Sequence, residues 1–151
     1  MIDIIFEEKM KRIFVLSFLM ALVIPAFAQQ VKPETLIKRE KRKGLTVKEW
    51  NTQVGSKTPF LDHVTTYDSL GRKIEEIEYA SYGQKSRVVC EYVDATDPAS
   101  KVFREIEYND RDKVVRIRKF EYNEDGSKKR QLNYYPNGKL ESVKEYELIF
   151  K

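Results

Sequence analysis

The chain has 151 residues, of which 28 are basic and 24 are acidic, and it contains one cysteine and one histidine. This length allows at most one domain of ordinary size. The single cysteine and the single histidine exclude a zinc site of several Cys and His ligands, a CxxC redox pair and an internal disulfide framework.

The first segment, residues 1–28, has the features of a secretory signal peptide. Met-Lys-Arg at residues 10–12 gives a basic start, residues 13–24 are apolar or small, and alanines occupy positions 26 and 28, where signal peptidase requires small residues. The apolar run is too short for a membrane span, which needs about 20 residues. Residues 1–9 are acidic where a signal peptide is basic, so translation is expected to start at Met10, with Met1 as the alternative.

Cleavage is predicted after Ala28, which leaves Gln29 as the first residue of the mature chain. Because this residue is not the cysteine of a lipoprotein, we expect no lipid anchor and a periplasmic or secreted protein. Segment 29–43 carries six basic and two acidic residues, whereas segment 44–151 is neutral. A neutral body with one basic arm argues against nucleic acid as a partner. The arm is expected to be a solvated strand or linker, with contact to anionic lipid or polysaccharide as the alternative.

Tyrosines recur along the rest of the chain at short and loose intervals, which indicates one small unit copied several times. Most are followed by turn-forming residues, and Asp-Gly or Asn-Gly steps supply the positive φ that tight hairpin turns require. Runs of about seven to nine residues rich in Ile, Val, Tyr and Phe lie between the turns and are typical of strands. The residues that mark the repeat scaffold are Tyr67, Gly71, Tyr79, Gly83, Tyr92, Tyr108, Tyr122, Gly126, Tyr135, Gly138 and Tyr146.

One strand in each repeat and a turn between repeats predict an all-β domain over residues 44–151, an antiparallel up-and-down meander of about seven or eight strands. Residues 43–50 resemble a degenerate first copy, residues 51–59 predict a loop, and residues 60–67 lead back into the sheet. Frequent Gly, Pro and Asn/Asp clusters argue against helices after Gly44. Because several strands carry charges on both faces, we expect a modest core, formed by a sheet that curls on itself or covers one face, and no large ligand cavity.

Charge predicts how two of these strands pair. If a four-residue loop connects Asn109 to Val114, apolar residues meet apolar residues and acids meet bases, with Arg104 opposite Lys119 as the exception. The other expected pairs are Ile106–Ile117, Phe103–Phe120, Glu107–Arg116 and Glu105–Arg118.

Two segments carry motifs of known repeat families. Residues 67–74, Tyr-Asp-Ser-Leu-Gly-Arg-Lys-Ile, resemble the YD repeat of bacterial Rhs-type and related exported proteins. Residues 134–140, Tyr-Tyr-Pro-Asn-Gly-Lys-Leu, resemble the MORN-variant unit of antitoxin-like repeat proteins. Over residues 63–147 the chain is similar to a group of short exported bacterial proteins of unknown function. This resemblance implies a scaffold or contact surface without catalytic residues, although the copies at 92–98 and 108–113 lack the glycine.

Aromatic residues near turns and strand ends are the candidate binding residues. Trp50, Tyr134 and Tyr135 lie at such positions, where side chains are more exposed, and their flat rings could stack on sugars. The other tyrosines are expected to be half-buried strand residues. His63 has no second histidine for a metal or catalytic site, and Cys90 is expected to pack as a small residue, with an intermolecular disulfide as the alternative.

These observations favour a non-enzymatic exported β-repeat protein that binds another protein or serves as an envelope accessory, with no cofactor and no metal. The first alternative is a carbohydrate-binding module, which requires at least three exposed and coplanar Tyr or Trp rings on one face. An immunity- or inhibitor-like protein is another alternative, and an enzyme would require a concave site with a perturbed acid or His63. Charges on the C-terminal strand, residues 139–147, discourage edge pairing and predict a monomer.

Overall fold

The structure, a computed structural model, describes residues 31–149 as one short helix followed by eight strands in a single sheet. The strands lie side by side in the order of the sequence, and every neighbouring pair is antiparallel. The predicted up-and-down meander is confirmed, whereas the signal peptide predicted for residues 1–28 lies outside the described residues. The elements are α1 (Pro33–Glu40), β1 (Thr46–Asn51), β2 (Phe60–Tyr67), β3 (Lys73–Ala80), β4 (Gly83–Tyr92), β5 (Val102–Asn109), β6 (Val114–Tyr122), β7 (Lys128–Tyr134) and β8 (Leu140–Glu145).

All seven hairpins contain a β-bulge at an equivalent place. The register shifts at an aromatic residue near the end of the first strand, and one residue of the following strand is left without an opposite partner. A bulge of this kind bends the strand and increases its twist. By this register Tyr134, and not Tyr135, corresponds to Tyr122. The aromatic residues at the shifts are Trp50, Tyr67, Tyr79, Tyr92, Tyr108, Tyr122 and Tyr134.

Four of the connecting turns share one geometry, in which a residue with positive φ donates its N–H to the carbonyl three residues earlier. Three of these residues are glycines, with φ of 74° at Gly71, 79° at Gly126 and 82° at Gly138. The fourth is Asp112, with φ of 54°. The segment 108–113 therefore keeps the turn without a glycine, because Asp tolerates the left-handed region better than most residues do.

The predicted pairing of β5 with β6 is confirmed in the middle of the hairpin and differs at both ends. Four predicted pairs form, Arg104–Lys119, Glu105–Arg118, Ile106–Ile117 and Glu107–Arg116. The bulge places Tyr108 opposite Val114, where Asn109 was predicted. The predicted Phe103–Phe120 pair is wrong, since it lies outside the ladder and the register shift between β4 and β5 occurs beside Phe103.

The sheet is a single open layer with a small core. Contacts between its elements are concentrated between successive strands, and among the described strands β1 and β8 each have a neighbour on one side only. Within residues 31–149 no side chain is less than 2% exposed. The buried residues are Gly71, Cys90, Ala99 and Phe120 with the polar Thr65, Arg72 and Ser100. The expected modest core is therefore present, and the order of the strands leaves the two edges apart.

The basic arm contains a helix where the sequence predicted a strand or a linker. Pro33 and Glu34 lie in the first turn of α1, and Lys38 and Arg39 lie in the last, which suits the helix dipole. A helix of eight residues is marginal in isolation. It is tethered because Arg39 donates hydrogen bonds to the carbonyls of Pro98 and Ser100 in the β4–β5 loop. Across residues 31–149, no helix has the length and apolar character to span a membrane.

Candidate functional site

The aromatic residues that end the strands divide between two ends of the sheet. The end that carries the β2–β3, β4–β5 and β6–β7 connections also contacts α1, and we call it the helix end; the opposite end is the far end. Because neighbouring strands are about 4.8 Å apart, aromatic residues two strands apart are separated by about 10 Å. They therefore do not form one continuous ladder. Tyr67, Tyr92, Tyr122 and Tyr146 lie at the helix end, and Trp50, Tyr79, Tyr108 and Tyr134 lie at the far end.

The helix-end tyrosines are held by hydrogen bonds and by cations over their rings. The Tyr92 hydroxyl donates to the Lys73 carbonyl at 2.9 Å, and the Tyr122 hydroxyl donates to the Val102 carbonyl at 2.6 Å. Burial raises the pKa of both phenols, that of Tyr122 to about 12. Their hydroxyls are thereby kept protonated as donors, which is a structural role and not that of an exposed stacking platform.

Arg72 is the central polar residue of the helix end. Its side chain is 6% exposed, its Nε lies 2.8 Å from Asp68 Oδ2, and its guanidinium carbon lies 4.4 Å from the centre of the Tyr92 ring. The remaining guanidinium N–H groups donate to three carbonyls of the β4–β5 loop, those of Asp94 at 2.7 Å, Ala95 at 2.8 Å and Asp97 at 3.1 Å. All of these partners belong to the protein itself, so Arg72 joins the β2–β3 turn to this loop.

The three aromatic residues singled out for binding do not form one group. Trp50 is 61% exposed on the edge strand β1, whereas Tyr135 is 45% exposed in the β7–β8 turn. Six strand spacings separate them, about 30 Å. Tyr134 is half-buried, with the Lys119 ammonium 5.3 Å from its ring centre. The structure adds Tyr82, which is 70% exposed in the β3–β4 turn and which its position beside Gly83 could have indicated.

His63 and Cys90 were considered for catalysis or metal binding, and the protein groups around them favour a structural role. His63 Nδ1 lies 3.2 Å from Oδ2 of its neighbour Asp62. Cys90 is buried, and burial, followed by the negative charge of Glu105, raises the pKa of its thiol to about 11. Such a thiol is protonated and unreactive at neutral pH. In the described part of the chain, no three His, Cys, Asp or Glu side chains are grouped to hold a metal ion.

One face of the sheet carries an apolar stripe that is interrupted at two places. Residues opposite one another in a ladder share a face, and the register places one apolar residue of each strand from β2 to β8 on the same side. We call this side the open face, because none of the described helices and strands packs over it. The interruptions lie between β3 and β4, where Ile77 faces Arg87, and between β6 and β7, where Leu132 faces Lys119. The stripe spans about 29 Å, from six strand spacings, and its residues in the sheet centre are half-buried. Its residues are Val64, Ile77, Val89, Ile106, Ile117, Leu132 and Val143.

Charged pairs lie on the open face, two of them on the helix-end side of this stripe and one across it between β3 and β4. The shortest distances between their nitrogen and oxygen atoms are 3.3 Å for Arg87–Glu75, 2.6 Å for Arg104–Glu91 and 2.6 Å for Arg130–Glu121. Pairs this exposed add little to the stability of the protein. An apolar centre with a charged rim is instead the usual anatomy of a surface that binds another protein.

Comparison with protein families and with curated proteins gives no function for this surface. No protein-family model matches the chain, and no curated protein matches it.

Proposed function

We propose that this chain is an exported, non-enzymatic interaction protein that binds another protein through the open face. The observation that carries the proposal is the apolar stripe, which has one member on each of seven strands of a single-layer sheet and over which none of the described helices and strands packs. Apolar residues gathered on one uncovered face of a soluble protein mark a binding surface.

A protein partner suits this face better than a polysaccharide does. Sugar chains are recognised by neighbouring aromatic rings, whereas the exposed rings of Trp50, Tyr82 and Tyr135 lie on different strands or turns. The stripe on the open face is aliphatic, and its rim pairs Arg with Glu. A partner surface with an apolar centre and an alternating charged border would match it.

Export is supported by the composition of residues 1–28 and is tested separately from binding. Fractionation of the native host should place the protein outside the cytoplasm, and its N-terminal sequence should begin at Gln29. A protein recovered from the cytoplasm with an intact N-terminus would contradict this half of the proposal.

Binding is tested by placing a photo-crosslinking amino acid on the open face in living cells. At Ile106, in the middle of the stripe, irradiation should give one discrete adduct whose mass is not a multiple of the mass of the chain. The matched control is Gln131, which is also half-buried. Gln131 and its ladder partner Phe120 both lie on the face of the sheet opposite the open face. Equal labelling from both positions, or from neither, would contradict the proposed contact face, provided that both variants keep the urea midpoint of the unsubstituted protein.

A further inference from the structure

Within the part of the chain that the structure describes, the outer backbone groups of the two edge strands β1 and β8 pair with no other strand. All six residues of β8 are exposed, and five of the six residues of β1 are exposed. An edge strand presents a row of unpaired N–H and C=O groups that can pair with another strand. In a meander of eight antiparallel strands β1 and β8 run in opposite directions, so β1 of a second copy in the same orientation would be antiparallel to β8.

The hydrogen bonds within the sheet show which backbone groups point outwards. The N–H of Tyr67 donates to the Leu45 carbonyl at 2.9 Å, and the N–H of Tyr146 donates to the Lys129 carbonyl at 3.1 Å. Because pairing groups alternate along an antiparallel strand, the outward groups belong to alternate residues. These are Lys48 and Trp50 on β1 and Val143 and Glu145 on β8.

Charge then selects one register among those that this alternation allows. With Lys48 opposite Glu145, two ion pairs form and two uncharged pairs lie beside them. A shift of two residues in one direction places Glu145 opposite Thr46 and pairs no charges. A shift in the other direction places Glu145 opposite Trp50 and pairs charges only outside β8, where Glu147 would face Lys48. The selected register gives the pairs Glu145–Lys48, Lys144–Glu49, Val143–Trp50 and Ser142–Asn51.

The same register occurs inside the molecule. In three hairpins the glutamate that precedes the strand-ending tyrosine lies opposite an arginine that is the third residue of the next strand. Glu145 also precedes a tyrosine, and Lys48 is the third residue of β1. A second copy's β1 would therefore occupy the place that a ninth strand of this meander would take. The internal pairs are Glu91–Arg104, Glu107–Arg116 and Glu121–Arg130.

We propose that copies of this chain associate head to tail, with β8 of one copy hydrogen-bonded to β1 of the next in the register set by Glu145 and Lys48. The interface joins different surfaces on the two copies, so it can extend or close into a ring. Pairing of β8 with a second β8 in the register centred on Val143 is disfavoured, because it would place Glu141 opposite Glu145. The charges that led to the expectation of a monomer therefore oppose this symmetric register and not the head-to-tail one.

Sedimentation equilibrium of the purified protein tests this association by charge reversal. The mass of the unsubstituted protein should rise with concentration. Lys48→Glu and Glu145→Lys should each weaken association about tenfold, because an attraction becomes a repulsion. An equimolar mixture of the two variants should associate again, since every junction between unlike copies then carries one glutamate and one lysine.

Matched controls are Lys113→Glu and Glu124→Lys, which change charge by the same amount at exposed turn positions between inner strands. They should leave association unchanged. A monomer at all concentrations, equal weakening by the controls, or a mixture that stays monomeric would each overturn the proposal. Since Lys48 and Glu145 are exposed, the variants are expected to fold, and far-UV circular dichroism checks this.

A disulfide tests the register itself. Glu49 and Lys144 would form a pair without direct backbone hydrogen bonds, in which side chains approach most closely. Oxidation of Glu49→Cys/Lys144→Cys should give chains linked in series, whereas the displaced control Glu49→Cys/Ser142→Cys should not. Native Cys90 is buried and does not compete. Links from the displaced control at the same yield would overturn the register.

Discussion

The helix end of the sheet and its two outer strands are stabilised in different ways. At the helix end, the buried Arg72 side chain and the α1 tether join the β2–β3 turn to the β4–β5 loop. Along β1 and β8, one side of the backbone has no strand from residues 31–149 beside it, and most side chains are exposed. In a single-layer sheet, stability is therefore concentrated where side chains interlock across turns, and the edges remain free for contact with other molecules.

The largest predicted effect comes from removing Arg72. In Arg72→Ala the Asp68 carboxylate and three loop carbonyls lose their guanidinium donor, and the half-buried acid is left without a partner charge. Loss of one member of a buried ion pair lowers the free energy of unfolding by about 3 kcal/mol or more. Urea unfolding followed by tyrosine fluorescence measures this change.

Arg104→Ala is the control for Arg72→Ala, because Arg104 also pairs with a carboxylate, at 2.6 Å from Glu91, but its side chain is 36% exposed. The expected loss is below about 1 kcal/mol. Equal losses of unfolding free energy in the two variants would show that Arg72 stabilises the helix end no more than Arg104 stabilises the open face.

A second, smaller effect is predicted for Gly71→Ala, which separates α1 from the sheet. A Cβ at Gly71 would overlap the carbonyl group of Arg39, and the positive φ of 74° adds backbone strain. Gly138 is the matched control, because its φ is 82° and a Cβ added there would meet no atom within 4 Å. We expect a loss of about 1 kcal/mol for Gly138→Ala from strain alone.

Gly71→Ala should lose about 1 to 2 kcal/mol more than Gly138→Ala, since small-to-large changes in packed sites add that amount. Hydrogen exchange should also show faster exchange in α1 for Gly71→Ala and not for Gly138→Ala. Unchanged exchange in α1 would mean that the helix is not held by its contact with this turn.

A third prediction concerns acid, and it again separates the helix end from the edges. Desolvation acts to raise the pKa of Asp68, but hydrogen bonds from the Arg72 backbone and guanidinium outweigh it and lower the pKa below its ordinary value. A lowered pKa contributes stability that is present above about pH 4 and is lost as pH falls through the folded pKa. The urea concentration at the unfolding midpoint should therefore decrease when the pH is lowered below 4.

Asp68→Asn, which has no carboxylate to protonate, isolates this contribution. The variant should be less stable than the unsubstituted protein at pH 7, and the difference between the two should shrink as the pH falls to 3. A difference that stays constant between pH 7 and pH 3 would contradict the role assigned to the Asp68–Arg72 pair.

The sequence predicted those features that depend on residues close together along the chain. Turn residues and alternating apolar residues predicted the meander, and opposite charges on β5 and β6 predicted the pairing of Glu105 with Arg118. The shift at Tyr108 was missed, because a bulge depends on how the strand twists as it leaves the turn. The helix α1 was missed because a short, highly charged segment has little tendency to fold until it is docked.

The candidate surfaces required the register, which the sequence predicted for only one hairpin. The open face could not be found while the ladder partners of Val64 or Leu132 were unknown. Arg72 was missed for another reason. Its loop partners are backbone carbonyls 22 to 25 residues further along the chain, and a carbonyl leaves no mark in an amino-acid sequence.

The smallest predicted effect lies at the far end, in the turn where Asp112 replaces the glycine of its three counterparts. At φ of 54° a glycine is unstrained, whereas an alanine is strained. Asp112→Gly should raise the free energy of unfolding by about 0.5 kcal/mol, and Asp112→Ala should lower it by about 1 kcal/mol.

Asp112 also lies 3.2 Å from Arg87, but this carboxylate is 66% exposed, so the ion pair contributes little. Asp112→Asn removes the charge and keeps the tolerance of positive φ, so its urea midpoint should stay close to that of the unsubstituted protein. If Asn is as destabilising as Ala, the ion pair and not the backbone would stabilise this turn, and the far end would resemble the helix end in depending on a charged contact.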